Sequence, residues 1–112
     1  MSNLYVRGEV YWTELDPVRG SEIAKTRPCI IISKTAINQR RNTVVIIPLS
    51  TTKTPTFFPI LVDTPSAGPN SKARIEHVRN VDKSRIKTLK GKINAADFAA
   101  IEIALKAVLE IK

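Results

Sequence analysis

Apolar and polar positions first alternate in residues 7–15, RGEVYWTEL, where Val10, Trp12 and Leu15 stand among polar neighbours. That spacing predicts a first strand, with Trp12 packed in the core rather than left at a groove. Asp16-Pro17 ends it with a turn signal, and Glu14 and Asp16 are expected to shape that turn. Residues 20–26, GSEIAKT, read as a polar loop. The chain then passes through Arg27-Pro28 straight into an apolar run, with proline at a strand start, where it is tolerated. Residues 29–33 and 43–49 are short, continuous apolar runs rich in β-formers, as expected of strands buried on both faces. Residues 38–42 connect them. Residues 57–62 predict a fourth strand, and 65–70, with Gly68 and two prolines, a loop. Residues 73–78 predict a fifth strand, which 80–82 continue past a kink; regular alternation there turns His77 away from Glu76 and into the core.

The C-terminal segment changes period. Asn94 stands three residues before Asp97, a weaker version of a capping box. Phe98, Ile101, Leu105 and Val108 then recur at intervals of three and four among many alanines, which predicts an amphipathic helix. Five or so short strands followed by one helix, with no crossover helix between strands, point to a mainly β fold, a small barrel with a C-terminal helix.

A chain of 112 residues is expected to form one domain, residues 1–112. Its formal net charge of +8 bears on partners rather than fold, with nucleic acid first and an anionic membrane surface second. No apolar stretch approaches the ~20 residues of a membrane span. The N-terminus, MSNLYVRGEVYW, lacks the basic-then-apolar order of a signal peptide, so the cytoplasm is the expected compartment. The single cysteine, Cys29, excludes an intramolecular disulfide and is expected to be an inert strand residue. The charge is concentrated. Residues 19–41 carry six cations and one anion, and residues 72–92 eight cations and two anions. Two such segments form either two solvated loops or, if the fold joins them, one basic face.

The chemistry available is narrow. One histidine and no carboxylate cluster argue against a metal site, and no nucleophile elbow or phosphate loop occurs. What remains is arginines, hydroxyls and a few carboxylates. Cleaving RNA without a metal needs little more, because the ribose 2′-OH is the nucleophile. The protein must take its proton, stabilise charge on the phosphoryl oxygens and protonate the leaving oxygen. Arg27, Ser50 or Thr51, Arg74 and Glu76 could supply those functions if strand ends bring them together.

The stretch RGEVYWTELDPVRGSEIAKTRPCIIIS (residues 7–33) resembles the opening motif of the MazF/PemK family of toxin endoribonucleases. The likeness continues through VVIIPLST (44–51) and RIEHVRNVDKSRI (74–86) and covers nearly the whole chain. It implies an SH3-like barrel of the PemK/CcdB type, a homodimer, metal-independent cleavage of single-stranded RNA at short sequences, no cofactor, and neutralisation by a cognate antitoxin. The arginine of the family's Arg-Pro motif falls on Arg27. The family's threonine after the third core strand falls on Ser50, with Thr51 next to it, and both stay open. The acid–base pair of the PemK branch falls on Arg74 and Glu76, with glutamate in place of aspartate. Residues 20–26 correspond to the family's mobile loop, in which Glu22 matches. Arg19, Glu22, Lys25, Thr26, Arg79 and Lys83 are the candidates for holding RNA. The rival reading is a non-catalytic module on the same fold, either a plain nucleic-acid binder or a gyrase-inhibiting toxin; the latter leaves the Arg-Pro motif without a purpose.

Overall fold

The computed structural model describes residues 4–15 and 26–112. Seven antiparallel strands run in the order β1 (Glu9–Glu14), β2 (Thr26–Ile31), β3 (Thr43–Thr51), β4 (Leu61–Asp63), β5 (Ser71–Arg74), β6 (Arg79–Asp82) and β7 (Ile86–Lys92). A short helix, α1 (Thr35–Asn38), joins β2 to β3, and the chain closes with α2 (Ala95–Leu109). The sheet order is β4-β5-β3-β2-β1-β7. Strand β3 is the hub. One edge pairs with β2, and the other pairs first with β6 and then with β5.

The continuous apolar runs of β2 and β3 have the expected cause: both faces of this sheet are covered. Ile30, Ile47, Leu49 and Ala73 join Val10 and Ile75 in a core closed by α2 through Ile101 and Ala104. The alternate residues Cys29, Ile31, Val44 and Ile46 join Tyr11, Val81 and Ile86 in a second core on the other face. The strand ends approach each other without pairing. Lys90 of β7 donates to the Ala67 carbonyl at 3.1 Å, in a 3-10 turn that follows β4. The result is a strongly curved, partly open barrel.

The helix forms as its pattern dictates. The Asn94 side chain accepts from the Asp97 amide at 2.8 Å, satisfying a free helix N–H. Asp97 in turn accepts from the Ser66 amide at 2.8 Å and from the Ser66 hydroxyl, tying the helix start to the 3-10 turn at Pro65–Ala67. Phe98, Leu105 and Val108 pack on the first core beside buried Ile101. Arg7 fastens the same helix: its guanidinium lies 4.1 Å above the Phe98 ring, bonds the Ile32 carbonyl at 2.9 Å and meets Glu102 at 3.2 Å.

Three expectations are corrected and one strand is new. Trp12 is not core. Val10 and Tyr11 are buried on opposite faces, while Trp12 is half exposed beneath Lys90, 5.8 Å from its ring. The fourth strand covers only Leu61–Asp63, and Phe57 and Phe58 stand exposed in the turn before it. The fifth strand ends at Arg74, where the kink is a full 3-10 turn over Ile75–His77 and the chain resumes as β6. Strand β7 has no counterpart in the expected elements; it pairs with β1 through a register with two irregularities.

Candidate active site

Strand alternation decides which residues share a face. In β3, Ile47 and Leu49 point to the first core, so Pro48 and Ser50 point the other way. In β2, Cys29 belongs to the second core, and Arg27, two residues earlier, lies on the same face. Arg74 follows Ala73 and takes the face opposite to it. These positions lie at one end of the second core, where Arg27, Pro48, Arg74, Glu76, His77, Arg79 and Leu15 line a cleft of about 680 Å³.

The two basic segments therefore meet, but selectively. Arg27 comes from the first, and Arg74 and Arg79 come from the second. Other cations of the second segment are engaged elsewhere. Lys72 is buried, paired with Asp63 at 3.2 Å and bonded to the Thr52 carbonyl. Lys87 pairs with Glu14 at 3.5 Å. Lys83, expected to hold RNA, does not line the cleft; its ammonium lies 4.7 Å from the centre of the Tyr5 ring.

Arg27 sits opposite Thr13 in the β1–β2 ladder, and no ion pair holds its exposed side chain among the described residues. Arg74 is fixed more firmly. Its Nε donates to the Ser50 hydroxyl at 2.5 Å, and its backbone pairs with Leu61 of β4. Ser50 is buried and stands behind the arginine rather than in the cleft wall. Thr51 projects from the opposite face, so the geometry favours Ser50 for contact with this group. Thr26 precedes Arg27 and likewise falls on the other face. Arg79 donates to the Leu15 carbonyl at 3.3 Å, which brings the end of β1 to the cleft. Arg19, Glu22 and Lys25 lie outside the described residues.

The turn at Ile75–His77 reorders the acid–base groups. Ile75 is fully buried and anchors it, and the Ile75 amide donates to the Ile60 carbonyl at 3.0 Å. Glu76 and His77 both reach the cleft, with Glu76 Oε1 and His77 Nε2 3.9 Å apart. His77 was expected in the core; instead its side chain is 54 % exposed, because a 3-10 turn does not alternate as a strand does. The isoleucine between Arg74 and Glu76 continues the alternating pattern and so hides where the strand stops.

Below the cleft, burial pushes the Cys29 thiol up to about 11, outweighing the opposing influences of Thr13 and the nearby guanidiniums of Arg27 and Arg79. A thiol so shifted is protonated and unreactive at neutral pH. The Tyr11 phenol is raised further, first by burial and then by its hydrogen bond to Glu9. Neither is suited to chemistry in the cleft. Among the described residues no group of three or more His, Cys, Asp and Glu side chains is placed to hold a metal ion. No helix among them is long and apolar enough to cross a membrane.

Residues 6–109 match the profile of a family described as PemK-like, MazF-like toxin of type II toxin-antitoxin system. The chain is 29 % identical over 113 residues to endoribonuclease MazF9 of Mycobacterium tuberculosis, covering 94 % of this chain and 96 % of the relative. It is 33 % identical over 85 residues to endoribonuclease MazF of Staphylococcus saprophyticus, covering 72 % and 71 %. Among solved structures, a mycobacterial endoribonuclease in complex with its cognate antitoxin superimposes with a TM-score of 0.77 at 24 % identity, over 99 % of this chain and 98 % of the other.

Proposed function

The chain belongs to the family of PemK-like, MazF-like toxins of type II toxin–antitoxin systems, and from that premise we propose that its cleft cleaves single-stranded RNA. The observation that carries this reading is the convergence of Arg27, Arg74, Arg79 and the carboxylate of Glu76 on one open cleft. Three fixed positive charges suit a phosphodiester, and a carboxylate beside them can take a proton.

In this account RNA lies in the cleft with its bases unstacked and read at their edges. Glu76 takes the proton of the ribose 2′-OH, and the freed oxygen attacks the adjacent phosphorus. Arg27 stabilises the crowded phosphoryl group electrostatically, since a guanidinium does not give up its proton near neutral pH. Arg74, held by Ser50, presents a second guanidinium in a set orientation. The products are a 2′,3′-cyclic phosphate and a 5′-OH. The route asks no metal to generate a nucleophile.

A homodimer with RNA in a basic groove between subunits is part of the same proposal, as is action in the cytoplasm. A cognate antitoxin with an acidic, disordered segment suits a chain of net charge +8, because such a segment could fold into the same groove and exclude RNA. The test is incubation of the purified protein with a long RNA in EDTA, followed by mapping of the ends. Defined cuts with cyclic phosphate and 5′-OH termini support the proposal. A deoxyribose at the scissile position should abolish cutting, and persistent cutting there rules the mechanism out. Protection of the RNA without cutting would leave the non-catalytic binder instead.

A further inference from the structure

Resting on the RNA-cleaving reading above, we propose that His77 is its general acid, the group that protonates the departing 5′ oxygen. With Glu76 as base, the pairing that the family resemblance implies leaves that proton, among the described residues, to the guanidinium of Arg74. Among the described residues, the charged groups lining the cleft apart from Glu76 are Arg27, Arg74 and Arg79. A guanidinium holds its proton too tightly to give it up efficiently. Imidazole is the side chain whose ordinary titration spans the neutral range, where a general acid works best. This chain has one histidine, and it stands in the cleft wall.

Position supports the assignment. Both cleft groups sit on one 3-10 turn, closed by the Val78 amide on the Ile75 carbonyl at 3.2 Å. Strands β5 and β6 flank the turn and both pair with β3, so its backbone is held at either end. The His77 ring makes no hydrogen bond with another described residue, and its side chain is 54 % exposed. Among the described residues nothing occupies its nitrogens. The Glu76 carboxylate lies 3.9 Å away.

The step balances. The 2′ proton passes to Glu76 as the 2′-oxygen–phosphorus bond forms. The phosphorus–5′-oxygen bond breaks, its electron pair stays on the 5′ oxygen, and that oxygen takes the proton from the His77 imidazolium. The turnover leaves Glu76 protonated and His77 neutral. Both side chains are about half exposed, so exchange with solvent returns each to its starting state.

The test compares two RNA oligonucleotides of one sequence, one natural and one with sulfur replacing the 5′ bridging oxygen at the scissile linkage. A thiolate leaves without being protonated, so only the natural substrate needs the acid. His77→Gln should slow the natural substrate by about 10²- to 10⁴-fold, the usual worth of general acid–base catalysis, and cut the sulfur substrate at close to the wild-type rate. Glu76→Gln should slow both. The ratio of the two rates within one variant does not depend on how much of it is folded. Equal slowing of both substrates by His77→Gln, or no slowing of either, overturns the assignment while leaving the RNA-cleaving reading intact. Failure of the wild-type protein to cut the natural oligonucleotide overturns both.

Discussion

Arg74 of β5 donates through Nε to the hydroxyl of Ser50 on β3 at 2.5 Å, across a strand pair in which Ser50 itself sits opposite Lys72. The contact joins an exposed, cleft-lining cation to a buried hydroxyl on the strand at the centre of the sheet. Hydrogen bonds to charged groups are worth about 1.5–3 kcal/mol, enough to hold an arginine in one orientation.

Ser50→Ala should therefore lower kcat for RNA cleavage by roughly 10- to 100-fold and, because the same bond ties β5 to β3 in the folded protein, lower the melting temperature by several degrees. Thr51→Ala, on the other face, should stay within a few-fold of wild type. Steady-state cleavage of a short fluorogenic RNA separates the two, and a larger defect in Thr51→Ala would contradict the proposed role of Ser50.

Arg27 offers a sharper separation of activity from stability. Its side chain is exposed and no ion pair holds it among the described residues. Arg27→Ala should cost about 10²- to 10³-fold in cleavage, as loss of an electrostatic stabiliser does, and leave thermal unfolding within about 0.5 kcal/mol of wild type. A folded Arg27→Ala variant with full activity would refute the mechanism.

The salt dependence of binding should distinguish the cations. With an uncleavable deoxy-substituted oligonucleotide, Arg79→Ala should reduce the slope of log affinity against log salt by about 0.7, one phosphate contact on a single strand. Lys83→Ala should leave that slope unchanged, because Lys83 is placed over Tyr5 and not in the cleft. Equal effects from both would mean that RNA runs over the Tyr5 side of the molecule.

Cys29 sets an alkaline limit on stability. Burial raises its folded-state value to about 11, above that of the unfolded chain, so the unfolded state loses its thiol proton first. The thiol's contribution is complete below about pH 8.5 and declines as pH rises towards 11, at about 1.4 kcal/mol per pH unit within that window. Denaturant titrations at pH 8, 9, 10 and 11 should show the decline, and Cys29→Ala should flatten its early part; the raised Tyr11 phenol adds a loss at higher pH still.

The tie between helix and turn is tested in the same way. Asn94→Ala removes the acceptor for the Asp97 amide and should cost about 1 kcal/mol. Asp97→Ala strips both the Ser66 amide and the Ser66 hydroxyl of their partner and should cost more, about 1–3 kcal/mol. The order of the two melting temperatures is the check.

The terminal helix was legible because its stripe and its cap are both local signals, carried by Phe98, Ile101, Leu105, Val108 and Asn94. Strands β2 and β3 were legible because burial on two faces leaves no polar residues to interrupt the run. Strand β7 was not. Its sequence, IKTLKGK, lies at a sheet edge with only Ile86 buried, so no face is marked. Trp12 misled for a related reason: with Val10 and Tyr11 buried on opposite sides, hydrophobicity alone does not say which face stays covered one residue later. Arg27, Arg74, Glu76 and Arg79 stand out in the sequence because their types fit the proposed chemistry, and the structure places all four on the cleft wall. His77 required knowing that the strand stops at Arg74. Counting by twos from Pro48 puts Ser50, and not Thr51, on the face that bears the cleft.

Strand β3 is flanked along one edge by two short strands rather than one long one, and the turn between them carries Glu76 and His77. That break does for the barrel what a notch does for a blade. The regular ladder on either side supplies stiffness, and the interruption supplies a place where side chains leave the alternating pattern and converge. A mutation that healed the notch, letting residues 71–82 run as one uninterrupted strand, would make a smoother sheet and send the imidazole to the side away from the carboxylate.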